Sequence, residues 1–142
     1  MSQVYLDYGA TTPLDPRVLE AMQPYFGGKY GNPEGLNVFS EQAHLAVQKS
    51  REKIAELIHA QSEEIIFTSG GSESNNLAIQ GFYRQHKSKS FHSITSQIEH
   101  PSVYQVFEYF AKHNHKVSFL SPEKNGEILA SSVQKKSLLT QH

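Results

Sequence analysis

Two short runs carry residue types that can do chemistry: Thr68-Ser69-Gly70-Gly71-Ser72-Glu73 and Ile98-Glu99-His100-Pro101-Ser102. In the first, an apolar stretch breaks at two glycines and resumes in a helical pattern. That is the layout of a phosphate cradle, because glycines turn the chain without a Cβ penalty and the following amides sit at the positive end of a helix dipole. The Ser72 hydroxyl adds a donor. In the second run, His100 offers a flat aromatic ring that exchanges protons near neutral pH. A simpler reading is that it closes the turn into the helix that Pro101 opens. Glu99 reads as structural, and Glu73 as a partner of the helix dipole, opposing a nearby phosphate unless it turns away.

Other candidates are weaker. His113 and His115 lie two positions apart at a helix end, which does not place both imidazoles on one face, so they read as solvated histidines near terminal carbonyls and no metal site is expected. Asp7 sits in the amino-terminal segment and Asp15 reads as a helix cap, so the two do not form a general acid–base pair.

The elements that must position these residues follow from periodicity and punctuation. Asp15-Pro16 is an N-cap and first helical residue, opening a short helix through Val18, Leu19, Met22 and Phe26 that Gly27-Gly28 ends. After a loop holding Gly31-Asn32-Pro33, apolar residues at helical spacing predict one long amphipathic helix over 38–59. A strand over 65–68, a helix over 73–86, a polar Lys/Ser link at 87–90 and a strand over 92–96 come next. A helix from Pro101 and a strand over 116–120 complete a β-α-β-α-β order. Such alternation predicts an α/β fold with a mostly parallel sheet and flanking helices, preceded by an amino-terminal helical segment. Ligands on such sheets sit beyond the carboxyl ends of the strands, and both candidate runs lie there.

Four stretches in register, Tyr5 to Pro16, Gly31-Asn32-Pro33, the glycine cradle, and Thr95 to Val103, resemble the cysteine desulfurases of the NifS/IscS type. These are class V aminotransferase-superfamily enzymes of the fold type I, which depend on pyridoxal 5'-phosphate (PLP). The resemblance runs from about Tyr5 to the last residue and covers the amino-terminal part of the family's domain pair. It implies a partial PLP-dependent transferase large domain over 38–142. Residues 1–37 are then an amino-terminal segment that contributes to the small domain and the active-site loop. It implies that Gly71 and Ser72 hold the cofactor phosphate and that the ring of His100 stacks on the pyridine. It also implies removal of sulfur from L-cysteine to give alanine and an enzyme persulfide, in iron–sulfur cluster assembly. The implied partners are a second copy in a homodimer or a complementary carboxyl-terminal chain, with iron–sulfur scaffold and sulfur-acceptor proteins.

By the same resemblance, the lysine that binds the cofactor covalently, the aspartate that pairs with the pyridine nitrogen and the cysteine that accepts sulfur all lie outside this sequence. The chain holds no cysteine at all, so no persulfide forms on it and no catalytic residue is assigned. The expectation is a truncated desulfurase-like chain that does not turn over alone. Half of a split enzyme and a non-catalytic module docking on a desulfurase complex remain as alternatives. Glu127-Ile128-Leu129 resembles the family's lead into its next helix, and Leu138-Leu139-Thr140 the approach to a further strand, an ending that suggests truncation. The loop after Pro33 departs from the family, with Glu34-Gly35-Leu36-Asn37 where small hydroxyl residues and then a histidine are usual. Ser72 replaces the commoner threonine and keeps the hydroxyl.

Composition bounds the rest. With 142 residues the chain is large enough for a single core, and 13 basic against 14 acidic residues leave a net charge of −1, which favours neither nucleic acid nor an anionic membrane. No basic flank precedes an apolar run at the amino terminus, so a cytoplasmic location is expected. A sheet left with a bare edge and an unfinished core makes the isolated chain marginal or dependent on a partner.

Overall fold

The computed structural model describes residues 3–86 and 91–138. The chain divides into two compact units, Met1–Ile66 and Phe67–His142.

The first unit is helical. Helix α1 (Pro16–Met22) starts as its sequence requires: the Asp15 carboxylate accepts the Arg17 amide at 2.8 Å, and Pro16 occupies a first-turn position where an amide hydrogen would go unused. The helix does not run on to Phe26. Pro24 has no N–H to continue the ladder, and residues Gln23–Phe26 tighten into a 3-10 turn. Helix α2 (Val38–Leu57) is the long amphipathic helix expected, capped by the Asn37 side chain on the Ser40 amide at 3.0 Å. It ends in a paired closure, with the Ala60 amide on the Ala55 carbonyl at 2.9 Å and the His59 amide on the Glu56 carbonyl at 3.2 Å. This geometry puts His59 at a φ of 56°, a place more often given to glycine. A short 3-10 turn (Ser62–Glu64) follows, and the Arg51 guanidinium donates to the Ile65 carbonyl just beyond it.

The loop before α2 accounts for its own unusual residues. Asn32 accepts the Glu34 amide through its side chain at 3.1 Å and the Gly35 amide through its carbonyl at 2.9 Å. The turn presses against the start of α2, where Ser40 is only 2% exposed. A Cβ at Gly35 would collide with the Ser40 hydroxyl, so Gly35 and the capping Asn37 are fixed by packing at the positions where the sequence departs from the family pattern.

The second unit is α/β. Helix α3 (Gly71–Gln85) leads to strand β1 (His92–Ser96), helix α4 (Pro101–Lys112), strand β2 (Lys116–Leu120) and helix α5 (Ala130–Leu138). Strands β1 and β2 pair in parallel, His92 opposite Lys116 through Ser96 opposite Leu120, with α4 as the crossover. Glu127-Ile128-Leu129 does lead into a helix, and Leu138 closes it. Residues 139–140 and the Lys/Ser link at 87–90 lie outside the described residues.

One expected element does not form: residues 65–68 are not a strand. A strand exists only where a neighbour completes its hydrogen-bond ladder. The sheet among the described residues contains β1 and β2 alone, and Ile66 and Phe67 stand 65% and 47% exposed. The order of the unit is therefore α-β-α-β-α rather than β-α-β-α-β.

The core of this unit is small. Tyr83 of α3 stacks on Phe110 of α4 with ring centroids 3.6 Å apart, and Val106, Ile79, Phe91, Phe107 and Val117 pack around them. The Tyr83 hydroxyl is satisfied by Ser93 at 2.7 Å. Beside it, a hollow of about 350 Å³ is lined by Ile79, Phe82, Ile94 and Phe107, so part of the apolar surface over β1 remains uncovered. Helix α4 ends with the His115 amide on the Phe110 carbonyl at 3.0 Å and Asn114 at a φ of 64°.

At the amino end of β1, His92 carries a pH dependence. Its Nε2 meets the Ser118 hydroxyl at 2.8 Å, while its Nδ1 is buried without a partner among the described residues. Burial first, and then the charges of Lys116 and Lys136, lower its pKa below the ordinary 6.5. The folded state thus favours the neutral ring, while the unfolded chain takes up a proton near pH 6.5. This contribution to stability is fully present above the unfolded value and is lost as pH falls through it toward the lowered folded value. The melting temperature should drop as pH falls below about 6.5, and His92→Gln should flatten that dependence. An equally steep dependence in the variant would assign it to other groups.

Candidate functional site

The candidate site is built at the amino end of α3 and the turn that joins β1 to α4. The α3 turn is braced from within: the Thr68 and Ser74 hydroxyls meet at 2.7 Å, and the Ser74 amide closes on the Gly70 carbonyl at 3.1 Å. Gly70, the capping residue, brings no side chain to the first amides of the helix. A Cβ at Gly70 or Gly71 would meet nothing within 4 Å, so the volume before these amides is open. Among the described residues the Ser72 hydroxyl has no partner, and its carbonyl holds the Asn76 side chain at 2.9 Å.

Glu73 would oppose an anion here if its carboxylate faced outward. It turns back instead, accepting the Ser69 hydroxyl and the Ser69 amide at 2.7 Å each, and these two bonds hold its carboxyl below the ordinary carboxylate value. The negative charge is thereby committed to the turn that precedes the helix.

On the second run, strand β1 ends at Ser96, whose hydroxyl donates to Glu99 at 2.8 Å. The Gln97 amide bonds the Leu120 carbonyl at 2.9 Å. Glu99 is thus occupied in shaping the turn, as its sequence context suggests. His100 is the N-cap of α4: its Nδ1 accepts the Ser102 amide at 3.2 Å and lies 2.8 Å from the Ser102 hydroxyl. The turn-closing reading of His100 is therefore correct as far as Nδ1 is concerned. It leaves the ring exposed and Nε2 without a partner among the described residues.

Sequence reasoning missed the link between the two runs. Asn75, one turn into α3, donates from Nδ2 to the Ser102 hydroxyl at 2.9 Å, so the helix that carries Gly71 and Ser72 also braces His100. Twenty-seven residues separate Asn75 from Ser102, and no local spacing rule joins them. Elsewhere, His113 lies with Nδ1 2.7 Å from the Tyr109 carbonyl and His115 packs edge-on against Tyr83. No cluster of three metal-binding side chains occurs among the described residues.

An uncapped helix terminus, a free hydroxyl and a carboxylate turned aside suit a phosphate monoester, and an exposed imidazole tied to the same helix suits a flat heteroaromatic ring. The class-V aminotransferase family matches residues 4–140, and the chain belongs to it. Members of this family use PLP. Within it, the chain is 42% identical over 133 residues to the cysteine desulfurase IscS of Dictyoglomus turgidum, covering 94% of this chain and 34% of that protein. It is 44% identical over 141 residues to the IscS of Rickettsia bellii, covering 96% and 34%. Among solved structures it is similar to a NifS-like protein, with a TM-score of 0.86, 32% identity, and coverage of 94% of this chain and 37% of the other. A structure described as SspA in complex with cysteine matches with a TM-score of 0.81 and 38% identity, covering 92% and 38%. The chain spans about a third of the length of the curated relatives it matches.

Proposed function

We propose that this chain is the amino-terminal, phosphate-holding portion of a cysteine desulfurase. In this reading the Gly71 and Ser72 donors take the phosphate of PLP and His100 lies against its pyridine ring. Residues 1–37 belong with the small domain and active-site loop, and 38–142 with the cofactor-binding domain. The observation that carries the reading is the Asn75–Ser102 bond, which ties an open helix terminus and an exposed imidazole to one helix. Bound PLP would supply an electron sink for bond breaking at the substrate amino acid, whereas the protein groups named here bind and orient it. No cysteine occurs in these 142 residues, so they form no persulfide and do not turn over L-cysteine by themselves.

The lysine, the acidic partner of the pyridine and the sulfur-accepting cysteine then come from further polypeptide, in the same chain or a complementary one. We place the complete enzyme in the cytoplasm as a homodimer serving iron–sulfur scaffold and sulfur-acceptor proteins. No helix among the described residues is long and apolar enough to cross a membrane.

The test is thermal unfolding of the full chain with pyridoxamine 5'-phosphate, which forms no imine with surface lysines, against pyridoxamine lacking the phosphate. A ligand that prefers the native state raises the melting temperature by mass action, so the phosphorylated compound should raise it and the other should not. Ser72→Ala should reduce the shift. Equal shifts from both compounds would refute phosphate recognition at α3.

A further inference from the structure

We propose that Asn75 and Ser102 are positioning residues that hold the His100 ring in one orientation and as the neutral tautomer protonated on Nε2. The inference rests on the reading of His100 as the ring that lies against the cofactor. The tautomer follows from donor and acceptor types. A backbone amide only donates, so the Ser102 N–H favours Nδ1 as an acceptor, but at 3.2 Å this long bond does not hold the ring once the hydroxyl bond is lost. The Ser102 hydroxyl has one proton and two lone pairs; Asn75 Nδ2 occupies a lone pair at 2.9 Å and fixes the oxygen in place, and with Nδ1 already accepting from the amide the hydroxyl proton turns to Nδ1 at 2.8 Å. Two donors converge on one imidazole nitrogen, and the ring proton is left on Nε2.

This arrangement differs from an ordinary helix cap. Serine, threonine, aspartate or asparagine commonly fill the capping position, where a short side chain accepts an amide without need of further support. Here a ring does so, and a side chain from a second helix fixes the hydroxyl that fixes the ring. A proton on Nδ1 would face the Ser102 amide proton and break the cap, so any proton that His100 exchanges with a ligand passes through Nε2. Because Asn75 lies one turn after Gly71 and Ser72 on α3, one rigid element sets both where a phosphate sits and how the imidazole plane is turned.

The experiment is ring nitrogen NMR on the histidine-labelled full chain, with His100→Gln to assign its signals, at a pH where the ring is neutral. The wild type should show a single His100 tautomer, with Nε2 protonated. Asn75→Leu and Ser102→Ala should give a mixture, and Ser102→Thr, which keeps the hydroxyl, should restore the single form. The same variants should bind pyridoxamine 5'-phosphate about fivefold more weakly while their affinity for inorganic phosphate is unchanged, since the ring contact alone is disturbed. A wild type with mixed tautomers, or variants with unchanged tautomer ratios, overturns the inference. A wild type with a single tautomer that binds neither ligand supports the Asn75–Ser102 constraint and overturns the cofactor reading, so the two fail separately.

Discussion

Phe110→Ala should destabilise the second unit by about 3–5 kcal/mol, the usual cost of removing a buried ring from a packed core. That is comparable to the whole stability of many domains, so the cooperative unfolding transition of this unit should be lost at ordinary temperatures. The size of the effect follows from how little else the unit buries: among the described residues Tyr83, Val106 and Phe110 form its buried cluster, Leu120 is the other buried apolar residue, and the stack of Tyr83 on Phe110 joins α3 to α4. Tyr109→Ala is the internal comparison. Its ring is 57% exposed, and truncation should cost well under half as much. Urea titrations followed by circular dichroism would separate the two variants. Equal costs would show that the α3–α4 contact does not carry the unit. The consequence for function is direct, because the same contact keeps Asn75 and Ser102 at 2.9 Å. Phe110→Ala should therefore also abolish the ligand-dependent rise in melting temperature, even at temperatures where some helix persists.

Much of this arrangement was legible in the sequence. The limits of β1 and β2 follow from short apolar runs between polar breaks, and the start of α4 from Pro101 after His100. Helix α2 follows from apolar residues at helical spacing behind Asn37, although the closure at His59 does not, since nothing in its residue type announces a positive φ. Two failures have physical causes. Residues 65–68 have the composition of a strand, but pairing depends on a neighbour that local pattern does not specify. The short amino-terminal helix stops at Met22 because Pro24 removes a donor, a signal that was present and outweighed by the apolar spacing through Phe26. For the site, Gly71, Ser72 and His100 stood out by type and position. The Asn75–Ser102 link did not, because a tertiary contact between two small polar side chains has no period.

The loop ahead of α2 should prove as sensitive as the core. A Cβ added at Gly31 would run into the backbone carbonyl of Phe39, which belongs to the first turn of α2 and has no side-chain freedom with which to yield. Gly31→Ala should destabilise the first unit by about 1–3 kcal/mol, the range of overpacking in a closed contact. Gly28→Ala places its methyl in open space and should be nearly neutral, so the pair isolates the contact from the general effect of replacing glycine. Neither residue has a positive φ, which removes backbone strain from the comparison. Hydrogen exchange at the α2 amides from Ser40 onward would report the change: faster exchange in Gly31→Ala and not in Gly28→Ala. Equal exchange in both would mean that the loop rides loosely on α2. A tight seat would mean that the residues departing from the family pattern, Gly35 and Asn37, keep this loop in one shape by packing and capping rather than by the hydroxyl residues and histidine usual there.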